Sequence, residues 1–472
     1  MKLIDKIKGK NILPILLFFI VLLNYLPLFL NNFFTKESKS VSTIFMIICF
    51  TIEIVVFLCY IILNKININN IKKKTIYLLF IIFILFLVQI KNLIYNDFYI
   101  MDIFNIGCIF INIGLFYIII SELEINEKSI CSFYKGIVWI GIVAVIWNLI
   151  IYFREILGGL GFLNLNSMIE LEGIKSFFPN RNTFAFFLFI STISNAFVIN
   201  FDNDKKIYKY AFIIFWFGVL CTHSKTGYLL IMLFLEIYIL LNNVYSIKKR
   251  IIVSMIIGII GIIGIINIMG YLKFPNIENG IQIMKQNIQE LKAEKDNYSQ
   301  TKNPSKPGTF IDEKKEIEES KPIVISKERI QNLSGRKGIW EKGINILSNS
   351  IINCIVGVGR FNSINILKFE NRTYTQFHNI YLDMLLTGGI VLLAYICYIY
   401  YSVIKKIIKS KLKLIFKEIY IVMYIIYGIY ILFESCGRFS IGAVDTLCLI
   451  FFVTIPLLHA NSIKNTEENK EK

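Results

Sequence analysis

The sequence predicts an all-α polytopic membrane protein with about twelve transmembrane helices and one large polar loop before the tenth. Three observations carry that fold class. Hydrophobic residues make up 56% of the chain against 18% charged, and the mean hydropathy is +0.62. Apolar runs near the length needed to cross about 30 Å of hydrocarbon as a helix recur from end to end. The lysines fall in short clusters between those runs.

In order, the spans read as 12–30, 41–63, 76–95, 98–120, 135–153, 182–201, 207–222, 226–243, 250–270, 379–403, 416–433 and 441–458. The first follows several lysines but continues without a small-residue cleavage site, so it reads as a transmembrane helix and not as a signal peptide. The loops MKLIDKIKGK, NKININNIKKKT, DNDKKIYK, SIKKR and IKKIIKSKLKLIFKE then fall on one side. The lysine/arginine bias makes that side cytoplasmic, together with both termini. The expected organisation is helices 1–9 in residues 1–270, an extracytoplasmic loop domain in 271–378, helices 10–12 in 379–458, and a cytoplasmic tail in 459–472. The loop domain is polar, with charged amphipathic stretches such as IQIMKQNIQELKAEK. The clustering of basic residues also accounts for the net charge of +17 without a nucleic-acid partner. Cys49, Cys59, Cys108, Cys221, Cys397 and Cys448 sit in or beside apolar runs with no metal-ligand spacing, and read as small buried hydrophobes.

Arginine usage carries more information. Of 50 lysines and arginines only eight are arginine: Arg154, Arg181, Arg250, Arg329, Arg336, Arg360, Arg372 and Arg438. All but Arg250 fall on the expected outer side, against the direction of the positive-inside bias. A guanidinium matches phosphate oxygens bidentately and keeps its charge when partly desolvated. The size of the polar insert accounts for Arg329 and Arg372. It accounts less well for Arg154, Arg181 and Arg438, which sit at helix mouths as interfacial anchors or ligand contacts.

Four motifs share that face. In SFFPNRNTFAFFLF (176–189), Pro179 and Asn180 break the loop, and Asn182–Thr183 are expected to cap the sixth span. CTHSKTGYLL (221–230) is a polar hinge holding His223, Ser224 and Lys225. In SGRKGIWEKGINILSNSIINCIVGVGRFNS (334–363), Ser334–Gly335 read as a helix start with Arg336 in the first turn, and Trp340 and Ile344 on one face. The helix gives way to Gly357-Val358-Gly359-Arg360, where two glycines allow close backbone approach to a ligand. No Walker lysine accompanies them, so nucleotide hydrolysis is not supported. TQFHNIYLDMLLTGG (375–389) places His378, one of three histidines, at the mouth of an apolar helix, either as a helix-capping residue or as a catalyst.

This ordered set, FPNRNTFA, HSKTG, SGRxxxW with GVGRF, and FHNIYLDMLLTGG, resembles the O-antigen ligase/polymerase family of bacterial polysaccharide enzymes over roughly residues 170–440. The likeness is to the polymerase branch, the Wzy-type capsular or O-antigen polymerases. HSKTG departs from the commoner Ser-Arg-x-Gly form, with Lys225 where arginine is usual. The resemblance implies a GT-C-like, metal-independent glycosyltransferase of the bacterial cytoplasmic membrane, acting on the outer leaflet without a cofactor. Its donor and acceptor would be undecaprenyl-diphosphate-linked glycans within the lipid bilayer, with a chain-length regulator and a flippase as further partners. It carries Arg181, Arg336 and Arg360 over to diphosphate binding, with Lys225 and Arg438 as secondary contacts.

The chemistry agrees with that set. Breaking the C1–O bond to diphosphate builds negative charge, which fixed guanidinium groups stabilise. The acceptor hydroxyl needs a positioned base, and an imidazole that is largely neutral at neutral pH suits the task, so His378 is the leading candidate. Glu434, in FESCGR, is the rival base unless it pairs with Arg438 at i+4. Asn379, Tyr381, Asp383, Asn180 and His223 are candidates for orienting substrate or His378. On an ideal helix Asp383 lies about 140° around from His378, so direct contact is not expected. The competing readings are an O-antigen-type ligase, a lipid-linked oligosaccharide flippase or other transporter, for which Glu53 and Glu236 lie within spans, and a membrane sensor.

Overall fold

The computed structural model describes residues 16–22, 48, 51–52, 54–55, 72–94, 100–119, 125–152, 169–170, 173–174, 176, 178, 180–201, 206–241, 246–268, 336–360, 362–363, 368–369, 372–373, 376–435 and 443–462. The chain divides into two compact units, Met1–Ile265 with Arg336–Lys472, and Ile266–Gly335. Of the second, only Ile266–Ile268, the end of a helix, are described. Arg154, Pro179, Arg329, Ser334–Gly335, Arg438, Glu53, residues 271–335 of the polar insert and the tail after 462 therefore lie outside the described residues.

Helix dominates. The described elements are α1 (Lys72–Ile94), α2 (Ile100–Asn112), α3 (Glu127–Tyr152), α4 (Arg181–Phe201), α5 (Lys206–Cys221), α6 (Lys225–Leu241), α7 (Ile247–Ile268), α8 (Arg336–Ser348), α9 (Ile351–Val356), α10 (Ile380–Lys409), α11 (Leu414–Tyr430) and α12, which runs from Ala443 to Ser462. Two antiparallel hairpins of two-residue strands, Ile169–Glu170 with Gly173–Ile174 and Lys368–Phe369 with Arg372–Thr373, complete the list. Every apolar run from the third to the twelfth lies on a helix, while the first two are described only at scattered positions. Among the described residues five helices are long and apolar enough to cross a membrane: Tyr77–Ile94, Glu127–Ile150, Arg181–Phe201, Ile380–Lys409 and Val444–Ser462. The exposed face of α7 is likewise apolar, with Ile252, Met255, Ile259 and Ile262 outward, a surface suited to hydrocarbon. The chain is a multi-pass helical membrane protein.

The centre of the bundle is α4. Every residue from Thr183 to Val198 is buried, as expected of a helix that is apolar all round. Several of its polar side chains bond within the bundle: Ser191 Oγ donates to the Phe187 carbonyl at 2.9 Å, and Asn195 Nδ2 to the Tyr208 carbonyl at 2.6 Å. Small residues let neighbours approach. A Cβ on Gly227 of α6 would collide with the Ala185 side chain, and one on Gly141 of α3 would lie 2.6 Å from Ser191 Oγ. Phe186 stacks on Tyr430 of α11 with ring centroids 4.6 Å apart, which sets the register between those two helices. A π stretch, Ile113–Ile119, continues α2, and α12 contains another, Ile450–Thr454. Thr454 Oγ1 joins the two by donating to the Phe116 carbonyl at 3.3 Å.

The element that positions the site is the break in α10. At about 1.5 Å per residue its 30 residues would run about 45 Å, against about 27 Å from Leu414 to Ile431 on the antiparallel neighbour. Yet Ile380 N donates to the Ile431 carbonyl at 2.9 Å. The difference is absorbed at Gly388 (φ −146°, ψ 19°) and Gly389 (φ 67°, ψ −167°), which divide α10 into a short first segment and a membrane-length second one. The break leaves the Leu386 carbonyl without a helical partner, and it accepts instead from Val358 N at 2.8 Å and Gly359 N at 3.1 Å.

The Gly-Val-Gly turn is therefore a latch on α10. Its three amides are occupied, since Gly357 N donates to the Asn353 carbonyl at 2.8 Å, and no phosphate loop is formed. The close approach expected of its glycines is to the backbone of α10: Gly357 and Gly359 have φ of 74° and 91°, and a Cβ on Gly357 would lie 2.7 Å from the Leu386 oxygen. Gly389 adopts a conformation that is essentially restricted to glycine, and a Cβ there would strike the Ile355 carbonyl. Gly389→Ala is accordingly expected to destabilise the protein by about 1–3 kcal/mol. Gly107→Ala, with nothing within 4 Å of the added methyl, serves as the control. Thermal unfolding of the two purified variants checks this, and equal melting temperatures would refute it.

Candidate functional site

The site forms where α4, α8, the start of α10, and the turns after α5 and α11 meet. Each part has a local cause. Asn180 caps α4: its Oδ1 accepts from Thr183 N at 2.8 Å and from Thr183 Oγ1 at 3.0 Å. This corrects the expectation that Asn182–Thr183 form the cap, and it frees Asn182 to turn inward.

The helix α8 packs its Ile339, Ile346 and Leu347 against Phe377, Leu382 and Leu386 of the α10 region, with Trp340 alongside. Ile344 is 56% exposed, so it does not share the packed face with Trp340 as expected; the core runs through Gly343 instead, where a Cβ would lie 2.8 Å from Leu382.

Both backbone groups of buried Phe377 are tied down. Its carbonyl accepts from Trp340 Nε1 at 2.9 Å, and its N–H donates to Asp383 Oδ1 at 3.2 Å. Asn379 then caps α10, its Oδ1 accepting from Leu382 N at 3.0 Å, while its own N–H donates to Ser435 Oγ at 3.2 Å. Between these anchors His378 has φ 53°, the left-handed region that a non-glycine residue rarely adopts and that tends to mark functional positions.

At the centre is Glu434, whose side chain is 5% exposed. Its Oε1 accepts from Arg336 Nη2 at 2.8 Å and from Asn182 Nδ2 at 2.8 Å, and its Oε2 lies 3.4 Å from His378 Nδ1. A buried carboxylate requires such compensation. An unprotonated Nδ1 would face the carboxylate lone pair to lone pair, so Nδ1 carries the proton; in the neutral ring the lone pair is then on Nε2. The Gln376 amide also reaches Nδ1, at 3.3 Å, and must then present its oxygen. Among the described residues no hydrogen bond occupies His378 Nε2, and the side chain is 27% exposed. Arg336 gives one of its five N–H donors to Glu434 and is 18% exposed, so the rest of its fork can meet an anion.

Arg336, His378 and Glu434 thus come together, with Asn379 and Asp383 holding the turn and not facing a ligand. The angular estimate for Asp383 does not apply, because His378 precedes the helix; Asp383 acts through Phe377. Tyr381 turns away, its hydroxyl donating to the Gly428 carbonyl of α11 at 3.3 Å. Lys225 is exposed at the first turn of α6, and Arg181 is the half-buried first residue of α4. Arg360 follows the latch, whose grip on Leu386 is about 9 Å of helix beyond Ile380. His223 has φ 51° in the turn between α5 and α6. Its neighbour Ser224 makes the link inward, with Oγ donating to Asn182 Oδ1 at 2.8 Å. Sequence reasoning missed Asn182 and Ser224 as site residues although both lie inside motifs it singled out, because their roles depend on which way each faces.

Residues 210–397 match the O-antigen ligase family model (Wzy_C). The matched segment is less than half of the chain and contains Ser224, Arg336, Arg360 and His378, whereas Asn182 and Glu434 lie outside it. The match supports the O-antigen ligase/polymerase family and does not distinguish the polymerase branch from the ligases. A search of curated proteins found no match. The grouping of an arginine, a histidine with an open nitrogen and a buried carboxylate sets an anion contact beside a ring nitrogen that can accept a hydrogen bond.

Proposed function

We propose that this chain joins undecaprenyl-diphosphate-linked repeat units into a surface polysaccharide, by glycosyl transfer at the outer leaflet of a bacterial cytoplasmic membrane. The observation that carries the reading is Glu434 holding Arg336 and His378 together, at 2.8 Å and 3.4 Å, in a chain similar to O-antigen ligases. In this reading His378 Nε2 takes the proton of the acceptor hydroxyl as its oxygen attacks C1 of the donor. The C1–O bond to diphosphate breaks, and the leaving group departs with the electron pair, its charge met by Arg336. An inverting transfer needs one such base. Glu434, with both oxygens engaged, orients and stabilises the imidazolium and is not itself the base. Arg181, Arg360, Lys225 and Arg438 are assigned to the diphosphate as further contacts, and apolar faces between helices take the polyprenyl tail. Twelve spans, a GT-C-like arrangement and cytoplasmic termini complete the proposal.

The family description favours one second reading, a ligase that moves finished glycan to another acceptor. A deletion strain separates the two. Loss of the long ladder with accumulation of single lipid-linked repeats supports the polymerase. Long chains retained on their carrier point to the ligase, and unaltered surface glycan sinks both.

A further inference from the structure

The polarity of the hydrogen bonds behind Glu434 assigns a task to Asn182 and Ser224, which take no part in the proton and diphosphate steps above. We propose that Asn182, with its amide oriented by Ser224, is a positioning residue that turns Glu434 Oε2 toward His378; this rests on the transferase reading above.

Ser224 caps α6. Its carbonyl accepts from Tyr228 N at 2.9 Å and its Oγ from Gly227 N at 3.2 Å. A serine hydroxyl has one proton, and here it can only go to Asn182 Oδ1, 2.8 Å away. That bond fixes the Asn182 amide with Nδ2 toward Glu434 Oε1, also at 2.8 Å. The flipped amide would set its oxygen against the carboxylate. With Oε1 held by Asn182 and Arg336 together, the second oxygen has one place to point, the Nδ1 face of His378.

The supports are rigid. Asn182 opens α4, whose next sixteen residues are buried, and one turn further on Phe186 stacks on Tyr430, which itself lies one turn before Glu434. The two contacts are successive rungs between the same pair of elements. Asn182 and Ser224 therefore set the geometry of the base without touching substrate. Misplacement of about 1 Å at such a site can cost about 100-fold in rate.

The test uses the full-length protein in lipid nanodiscs. The substrate is whichever lipid-linked glycan the deletion strain accumulates, membranes of that strain supply the acceptor, and release of undecaprenyl diphosphate is followed. Asn182→Ala is expected to lower kcat by about tenfold to 100-fold with KM within about twofold. Asn182→Asp should be worse, because it sets a second carboxylate against Glu434. Ser224→Ala should fall between wild type and Asn182→Ala, and Ser224→Thr should restore most of the rate. The double variant Asn182→Ala/Ser224→Ala should be no slower than Asn182→Ala alone, since both act on one contact. Multiplying losses in the double variant, a loss confined to KM, or a wild-type kcat for Asn182→Ala would each overturn the proposal. Single repeats or long chains in the deletion strain distinguish polymerase from ligase while the variant comparison stands in either case. Unaltered glycan in that strain overturns the transferase reading and this one with it.

Discussion

Replacing His378 with asparagine is expected to slow glycan transfer by about 100- to 10,000-fold, the usual contribution of a positioned general base. Asparagine is the informative choice because His378 sits at φ 53°. After glycine, asparagine is among the residues that tolerate left-handed backbone best, so the turn between Phe377 and Asn379 survives. The amide cannot take a proton from a sugar hydroxyl. The variant should therefore reach wild-type abundance and melting temperature while the long ladder disappears from the surface glycan. His378→Ala should give the same loss of polymer with some loss of stability. A normal ladder from either variant would remove His378 from the mechanism and leave it as a helix-entry residue.

Arg336→Ala should lose both activity and stability, for separable reasons. Glu434 is 5% exposed and takes its 2.8 Å ion pair from this arginine. Removing one partner of a buried pair costs up to about 3–5 kcal/mol, because Glu434 then keeps only its contacts with Asn182 and His378 and loses the guanidinium charge. The same change removes the guanidinium proposed to meet the departing diphosphate. Adding Glu434→Gln to Arg336→Ala takes away the stranded charge. The double variant is expected to recover most of the melting temperature while polymer stays absent. Recovery of polymer along with stability would show that Arg336 serves only the ion pair. Arg336→Lys keeps a charge but loses the planar fork, and should be stable and slow.

The residues of the site were partly legible. Composition and periodicity identified the helices, because an apolar run in a membrane has few alternatives to helix. From 76–95 to 441–458 each expected span lies on a helix, although α3 begins at Glu127, ahead of the expected 135, because its first turns are polar. The scarcity of arginine picked out Arg336, and the histidine at the mouth of α10 picked out His378. Their grouping with Glu434 was not legible. It depends on a break in α10 at Gly388–Gly389 that brings Ile380 back to Ile431. Two glycines in an apolar run read equally well as small packing residues.

The Gly-Val-Gly turn shows the same limit. Its glycines signalled a close backbone approach, and close approach is what they provide, but the neighbour is the Leu386 carbonyl. A turn with its amides free and one with them satisfied by another helix have the same sequence. Asn182 was read as a cap because it stands at a helix start, and Asn180 two residues earlier takes that task. Which of two asparagines turns inward is decided by the carboxylate across from it, more than two hundred residues away in the chain.

By itself, the sequence determined a helical membrane protein, the positions of its helices from the third apolar run onward and the stretch similar to O-antigen ligases, since these follow from local hydropathy and from residues near one another in the chain. Only the tertiary structure decided that Arg336, His378, Asn182 and Glu434 share one contact set. A buried carboxylate collects its donors from whatever elements packing brings to it, and that is a property of the assembled bundle.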